Sequence, residues 1–210
     1  MTENGFMDLE ENKRPAAFLD RDGVLIQDLG YVYRTDDLHI LPGVVEGLRF
    51  LHDKGYLLIV ISNQSGVARG LFTSEDVDLF HRELQHQILA SLGFGLDGIY
   101  YCPHHPEGRV PHLAIECNCR KPGLGLLEDA GRDFSIDWSR SFLVGDKDSD
   151  VTCAHKASLI GIQVTSGQYE AHCSPDFEIS SLADLQNIWS EIERKMIAFG
   201  AEPLTSSDVP

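Results

Sequence analysis

The chain reads as a three-layer α/β fold, a central parallel sheet with helices on both faces, and three observations predict it. Short apolar runs recur along its 210 residues, each about the length of a buried strand. Stretches of helical character separate them, which is the alternation of parallel-sheet proteins. Polar motifs follow the carboxyl ends of the runs, where open α/β sheets hold their ligands.

The first run, Ala16-Ala17-Phe18-Leu19, leads straight into Asp20-Arg21-Asp22-Gly23, where Gly23 frees the backbone for a sharp turn. Asp20 and Asp22 are two apart on extended chain and so face the same side. One carboxylate can act as nucleophile while the other handles a proton. A solvated strand-end turn would have the same composition. Pro42 suits the first turn of a helix reaching about residue 54. Residues 56–61 form a second buried strand. It ends in Ser62-Asn63-Gln64-Ser65-Gly66, whose hydroxyls, amides and backbone N–H groups can wrap a phosphate or make an ordinary polar loop.

Thr73-Ser74-Glu75-Asp76 supplies an N-cap and early acidic residues for a helix to about Leu92. Residues 97–101 are a third short strand, and residues 102–119 have no period at all. A loop of that length needs an explanation. Pro122 begins the next helix, which sets Arg120 and Lys121 at its N-terminus as an oxyanion clamp or a solvated cation pair. The fourth strand, residues 141–144, runs into Gly145-Asp146-Lys147-Asp148-Ser149-Asp150. Carboxylates at a strand's carboxyl end suit Mg²⁺, which takes one or two of them and keeps several waters. An EF-hand reading of Asp146, Asp148 and Asp150 fails, because Val151 stands where that loop needs Gly and Ala157 where it needs a bidentate Glu. A helix over 148–157, a fifth strand over 159–164 and a last helix over 182–196 complete the series. With neither repeat nor linker, one domain is expected over 16–197, between polar tails at 1–15 and 198–210.

Composition narrows the partners. The formal charge of −16 argues against a nucleic-acid ligand held by bulk electrostatics, so a small phosphorylated substrate would need a local basic cluster or a metal ion. No apolar run approaches the roughly 20 residues of a membrane helix, and the acidic first residues are unlike a signal or transit peptide. A monomer with a cytoplasmic address, without membrane or nucleic-acid partners, is the expectation.

Five cysteines make a disulfide framework improbable, and three of them fall within residues 102–119. Cys102-Pro103-His104-His105 followed by Cys117-Asn118-Cys119 suits a closed tetrahedral Cys₃His zinc site, which would keep the structureless loop folded. Spacing leaves His104 and His105 equally eligible as fourth ligand. Cys153, Cys173 and the histidines beyond this loop are read as carrying no signal, the histidines as solvated surface residues.

Taken in order, Asp-x-Asp-Gly, a Ser-Asn loop, Lys-Pro and Gly-Asp-x-x-x-Asp resemble the haloacid dehalogenase superfamily of phosphotransferases over residues 16–164. The resemblance implies a Rossmann-like fold with Asp20 as nucleophile and Asp22 as general acid and base. Ser62 and Lys121 would steady the phosphoryl group, and Mg²⁺ would be held by Asp20, Asp22 and Asp146 with Asp150 in support. Within the superfamily, Asp28-Leu29-Gly30-Tyr31, Ser62-Asn63-Gln64-Ser65-Gly66-Val67-Ala68-Arg69-Gly70, Tyr101-Cys102-Pro103-His104-His105-Pro106 and Cys117-Asn118-Cys119-Arg120-Lys121-Pro122 are similar to the D,D-heptose 1,7-bisphosphate phosphatases. That likeness selects Cys102, His104, Cys117 and Cys119 as structural zinc ligands. It implies substrate contacts at Asp28, Gly30, Tyr31, Ser62, Asn63, Gln64, Ser65, Arg120, Lys121 and Lys147, with Arg120 on the sugar's second phosphate.

Two positions depart from the pattern. Val24 replaces the more usual Thr, and Ser62 stands where Thr is frequent, keeping the hydroxyl. With no large cap expected, substrate contacts must come from short loops. Histidinol-phosphate phosphatase is the nearest rival, separable by substrate preference. A non-catalytic sugar-phosphate or partner-binding module is a rival of another class, separable by Mg²⁺-dependent phosphate release. A zinc-dependent hydrolase would need an open zinc position, which four protein ligands do not leave.

Overall fold

A computed structural model describes residues 13–165 and 172–200. Six strands form one sheet: β1 (Arg14–Leu19), β2 (Leu57–Asn63), β3 (Gly98–Cys102), β4 (Ile136–Gly145), β5 (Ile160–Val164) and β6 (Phe177–Ile179). Their spatial order is β3-β2-β1-β4-β5-β6, and every neighbouring pair is parallel. The chain steps outward from β1 to β3, then returns to the other edge of β1 as β4. That reversal opens a crevice at the carboxyl ends of β1 and β4, the usual ligand position in such sheets.

Among the described residues, five α-helices cover the two faces: α1 (Val44–Asp53), α2 (Ser74–Leu92), α3 (Gly125–Asp133), α4 (Asp148–Lys156) and α5 (Leu185–Ala198). Strand side chains alternate between faces, and the core divides accordingly. Ala17, Leu19, Leu58, Val60, Phe142 and Val144 pack with Leu48 of α1, Phe80 and Leu84 of α2 and Trp189 of α5. Ala16, Phe18, Leu57, Ile59, Ile61 and Leu143 pack with Leu126, Leu127 and Ala130 of α3 and with Cys153 and Ala154 of α4. Each fully buried Leu, Ile or Phe contributes about 1.5–3 kcal/mol. The expected three layers and parallel sheet are therefore present.

Several boundaries differ from expectation. Strand β1 takes in Arg14 and Pro15 of the presumed tail, because the Arg14 side chain donates to the carbonyls of Gly55 and Tyr56 at 3.1 and 3.2 Å. Residues 1–12 and 201–210, the rest of both tails except 13 and 198–200, lie outside the described residues. Pro42 precedes its helix within a turn closed by Val44 N donating to Leu41 O at 3.3 Å. Helix α3 starts at Gly125, not Pro122, since Gly123 N turns back to Arg120 O and Gly125 N to Asn118 O. Arg120 and Lys121 are thus in a loop ahead of the helix rather than at its N-terminus, and the Lys121–Pro122 peptide is cis. Strand β6 was not legible as three residues after an irregular stretch, and the last helix opens with a 3₁₀ turn, Leu182–Asp184. Between β1 and α1 lie only two isolated bridges, Asp22–Ile26 and Ile26–Ile40, and the 3₁₀ turn Thr35–Asp37, so no cap domain is inserted there. No helix among the described residues is long and apolar enough to cross a membrane.

Candidate active site

Asp20 stands one residue past β1, its N–H tied to Val144 O of β4 at 2.8 Å, so the backbone carrying it bridges the crevice. Its Oδ1 accepts from Lys121 Nζ at 2.7 Å. The same ammonium donates to Ile61 O at 2.7 Å and pairs with Asp150 Oδ1 at 2.7 Å. Burial works against that charge, but Asp150 and Asp20 outweigh it and hold Lys121 above the usual lysine range. Lys121 is itself anchored by Asn63, whose Oδ1 accepts from Lys121 N at 2.9 Å while Nδ2 donates to Lys121 O at 3.1 Å.

Asp20, Asp146 and Asp150 converge, with one carboxylate oxygen of each within 4.8 Å of the others. Burial, reinforced by the Asp20 charge, pushes the Asp146 carboxyl up to about 8. Among the described residues, neither buried Asp146 oxygen has a hydrogen-bond partner. Gly23 makes room for them: its φ is +83°, and a Cβ there would overlap the Asp146 carboxylate. Orphaned oxygens, three converging acids and an all-oxygen donor set fit a hard divalent cation such as Mg²⁺. Asp148, by contrast, turns its carboxylate to the backbone N–H groups of His172 and Cys173 at 3.0 and 3.3 Å.

Asp22 lies beside this cluster on the wall of a cavity of about 360 Å³. The same cavity is lined by Asp28, Gly30, Tyr31, Asn63, Gln64, Ser65, Arg120, Lys121 and Lys147, by Gly66 at the end of the segment read as able to wrap a phosphate, and by Ser149, which had no predicted role. Of the predicted substrate contacts only Ser62 is absent from that lining; it is buried below, its Oγ accepting from Gln64 Nε2 at 2.8 Å. Gln64 is more committed than a substrate contact would be, since its Nε2 also donates to Asp22 Oδ2 at 2.9 Å and its Oε1 accepts from Arg21 at 3.1 Å. Lys147 pairs with Asp28 Oδ2 at 3.1 Å and Asp146 Oδ1 at 3.6 Å, linking the cavity wall to the acidic cluster.

The loop after β3 gathers a second cluster. Cys102, His104, Cys117 and Cys119 place one ligand atom each within 4.8 Å of the others. The Sγ of Cys119 lies 2.8 Å from that of Cys102 and 3.2 Å from His104 Nδ1. His105 stays outside this group, against Arg69 at 3.2 Å. Three thiols and an imidazole at such separations fit a soft, tetrahedral cation.

Two residues of the site escaped the sequence. Arg21 is 0% exposed beneath Asp22, and His81 of α2 is 7% exposed against it, so not every remaining histidine is a solvated surface residue. The available signal was position. Arg21 alternates with Asp20 and Asp22 and so points the other way, into the core, and His81 falls among Val77, Phe80 and Leu84 on the apolar face of α2.

The chain is similar to known phosphatases in sequence and in fold. The HAD-hydrolase-like family profile matches residues 118–185. The D-glycero-beta-D-manno-heptose-1,7-bisphosphate 7-phosphatase of Photorhabdus laumondii is 44% identical over 175 residues, covering 81% of this chain and 93% of its own. The D-glycero-D-manno-heptose-1,7-bisphosphate 7-phosphatase of Thermosynechococcus vestitus is 41% identical, with 81% and 92% covered. Among solved structures, the D,D-heptose 1,7-bisphosphate phosphatase of B. bronchiseptica, complexed with magnesium and phosphate, superposes with a TM-score of 0.71 at 28% identity, covering 84% of this chain and 99% of that one. With relatives above 40% identity across nearly their whole length, the chain belongs to the D-glycero-D-manno-heptose-1,7-bisphosphate 7-phosphatase family of HAD-like hydrolases.

Proposed function

We propose that this chain removes the 7-phosphate of D-glycero-D-manno-heptose 1,7-bisphosphate, leaving the 1-phosphate, through a phosphoryl-Asp20 intermediate. The observation that carries the reading is the buried Asp20–Lys121 contact of 2.7 Å, set among Asp146 and Asp150 below a cavity bearing Arg120 and Lys147. Asp20 Oδ attacks phosphorus and the bond to the sugar oxygen breaks. Its electron pair leaves with that oxygen, which takes a proton from Asp22. Asp22 then accepts a proton from water, whose oxygen attacks phosphorus and releases Asp20. Lys121 and the Ser62 hydroxyl steady the equatorial oxygens of the phosphoryl group. Arg120, with its fork of donors, suits the phosphate that stays on the sugar.

Mg²⁺ would be held by Asp20, Asp146 and the Asp22 carbonyl with Asp150 in support, supplying positive charge against the phosphoryl oxygens. No single residue accounts for accelerations that reach about 10²¹ for this class of ester, so division among several groups is expected. Zn²⁺ on Cys102, His104, Cys117 and Cys119 is structural in this reading, holding the loop that presents Arg120 and Lys121. A monomer acting in the cytoplasm on a small sugar phosphate completes the proposal.

The test is phosphate release from heptose 1,7-bisphosphate, heptose 1-phosphate and histidinol phosphate, with and without Mg²⁺. Mg²⁺-dependent turnover of the bisphosphate, with the 1-phosphate left intact, is expected. A preference for histidinol phosphate would overturn the substrate, and release independent of Mg²⁺ would overturn the mechanism.

A further inference from the structure

Arg21 is a fully buried guanidinium whose three nitrogens all hydrogen-bond. Its Nε and Nη2 donate to Asp22 Oδ2 and Oδ1 at 3.2 and 3.0 Å, the bidentate fork that fixes a carboxylate in one plane. Nη2 also donates to Val32 O at 2.8 Å and Gln64 Oε1 at 3.1 Å. Nη1 donates to Nε2 of His81 at 3.2 Å, and the group lies over the Phe80 ring, 4.6 Å from its centroid. Gln64 closes the circuit by donating to Asp22 Oδ2 at 2.9 Å.

An arrangement of this kind is a poor stability device. Burying a guanidinium costs several kcal/mol, and apolar side chains of similar volume usually serve a core at least as well. What the network does provide is orientation. Both oxygens of Asp22 accept from these donors, which hold the carboxyl in place on the wall of the cavity it lines. His81 must be an acceptor at Nε2 for this to work, and burial together with the Arg21 charge pushes its imidazole down to about 3, keeping it neutral.

We propose that Arg21, seated on His81 and Gln64, is a positioning residue that locks the Asp22 carboxyl in the orientation from which it protonates the leaving sugar oxygen. The inference rests on the proposed reading of Asp20 and Asp22. It assigns His81, which touches neither substrate nor metal cluster, a role in leaving-group protonation. Mispositioning a general acid harms only those esters whose leaving oxygen needs the proton, whereas general damage to the fold harms all of them.

The experiment compares kcat/KM for heptose 1,7-bisphosphate, an alkyl ester, with kcat/KM for p-nitrophenyl phosphate, whose leaving group departs unprotonated. Since kcat/KM covers steps only through transfer to Asp20, later water attack does not blur the comparison. Arg21→Lys is expected to lower the value for the bisphosphate by about tenfold or more, within the range general acids supply, and to leave the aryl ester within about twofold. His81→Leu should do the same more weakly, and His81→Gln, which keeps an acceptor, should restore the bisphosphate rate. The two His81 variants decide the matter if Arg21→Lys does not fold. Equal losses on both esters, or no loss on the bisphosphate, would overturn the inference alone. An unchanged chain inert toward the bisphosphate would overturn the parent reading.

Discussion

Asn63 and Lys121, one at the end of β2 and one in the loop that follows β3, are joined in both directions, side-chain amide to backbone N–H and C=O. The pairing fixes where the Lys121 backbone sits and therefore where its ammonium meets Asp20. Asn63→Ala leaves two backbone groups without these partners, and a loss of about 2 kcal/mol in stability is expected. Because Lys121 would drift, kcat should fall more than the melting temperature suggests. Urea unfolding read beside steady-state kinetics checks both effects, and an unaltered kcat would show that Lys121 needs no such anchor.

The two aspartates of the first motif should separate in a trapping experiment. Asp20→Asn is expected to abolish turnover and all labelling of the protein from a ³²P-labelled substrate. Asp22→Asn should also lose turnover by about 10²–10⁴-fold, yet retain the ability to become labelled when the leaving group is p-nitrophenolate. Label on the Asp20→Asn protein would displace the nucleophile to another residue.

Magnesium affinity should depend on pH. Asp146 holds its proton up to about pH 8 in the metal-free chain, and a cation must expel that proton to bind. Affinity therefore rises with pH, by about tenfold per unit below 8, and flattens above it. Isothermal titration in buffers of different ionisation enthalpy should show close to one proton released per ion near pH 7. A pH-independent Kd would contradict it.

His81 is expected to contribute to the acid side of the stability curve. Its folded pKa, about 3, lies below the ordinary value of 6.5, so the unfolded chain binds the extra proton first. The contribution is complete above pH 6.5 and is lost as pH falls toward 3. His81→Gln should lose less stability than the parent between pH 6.5 and 4, measured by thermal melting across that range. Parallel curves would show that burial does not suppress its charge.

Zinc removal should act on the loop first. Chelation, or Cys119→Ser, is expected to lower the melting temperature and raise KM for the bisphosphate, because Arg120 and Lys121 directly follow the last ligand. Elemental analysis should give one zinc per chain before treatment and none after. A loop equally protected from proteolysis in both states would remove zinc from its support.

Much of the fold was legible because its strands are short, apolar and buried on both faces, so their runs are nearly continuous. The stretch after Cys119 was misread for a tertiary reason. Pro122 is favourable at a helix start, yet hydrogen bonds from Asn63 and Asn118 hold residues 120–124 in another path, and no local propensity reports a partner in a different strand loop. The acidic residues could be found since carboxylates at a sheet edge are conspicuous. Arg21 and His81 were hidden because their interest lies in being inside, and alternation along an extended chain was their only trace.

The sheet order bears on how the chain is made. β1 lies centrally, with Ala17 beside Leu58 on one edge and Phe142 on the other. A ribosome delivers the first partner early and the second only after some eighty further residues. Until then the nascent chain carries an open, apolar strand edge through most of its synthesis, a surface that invites self-association. Docking of β4 covers that edge and carries Asp146 up to Asp20 in the same step, while β5 and β6 cover β4 in turn.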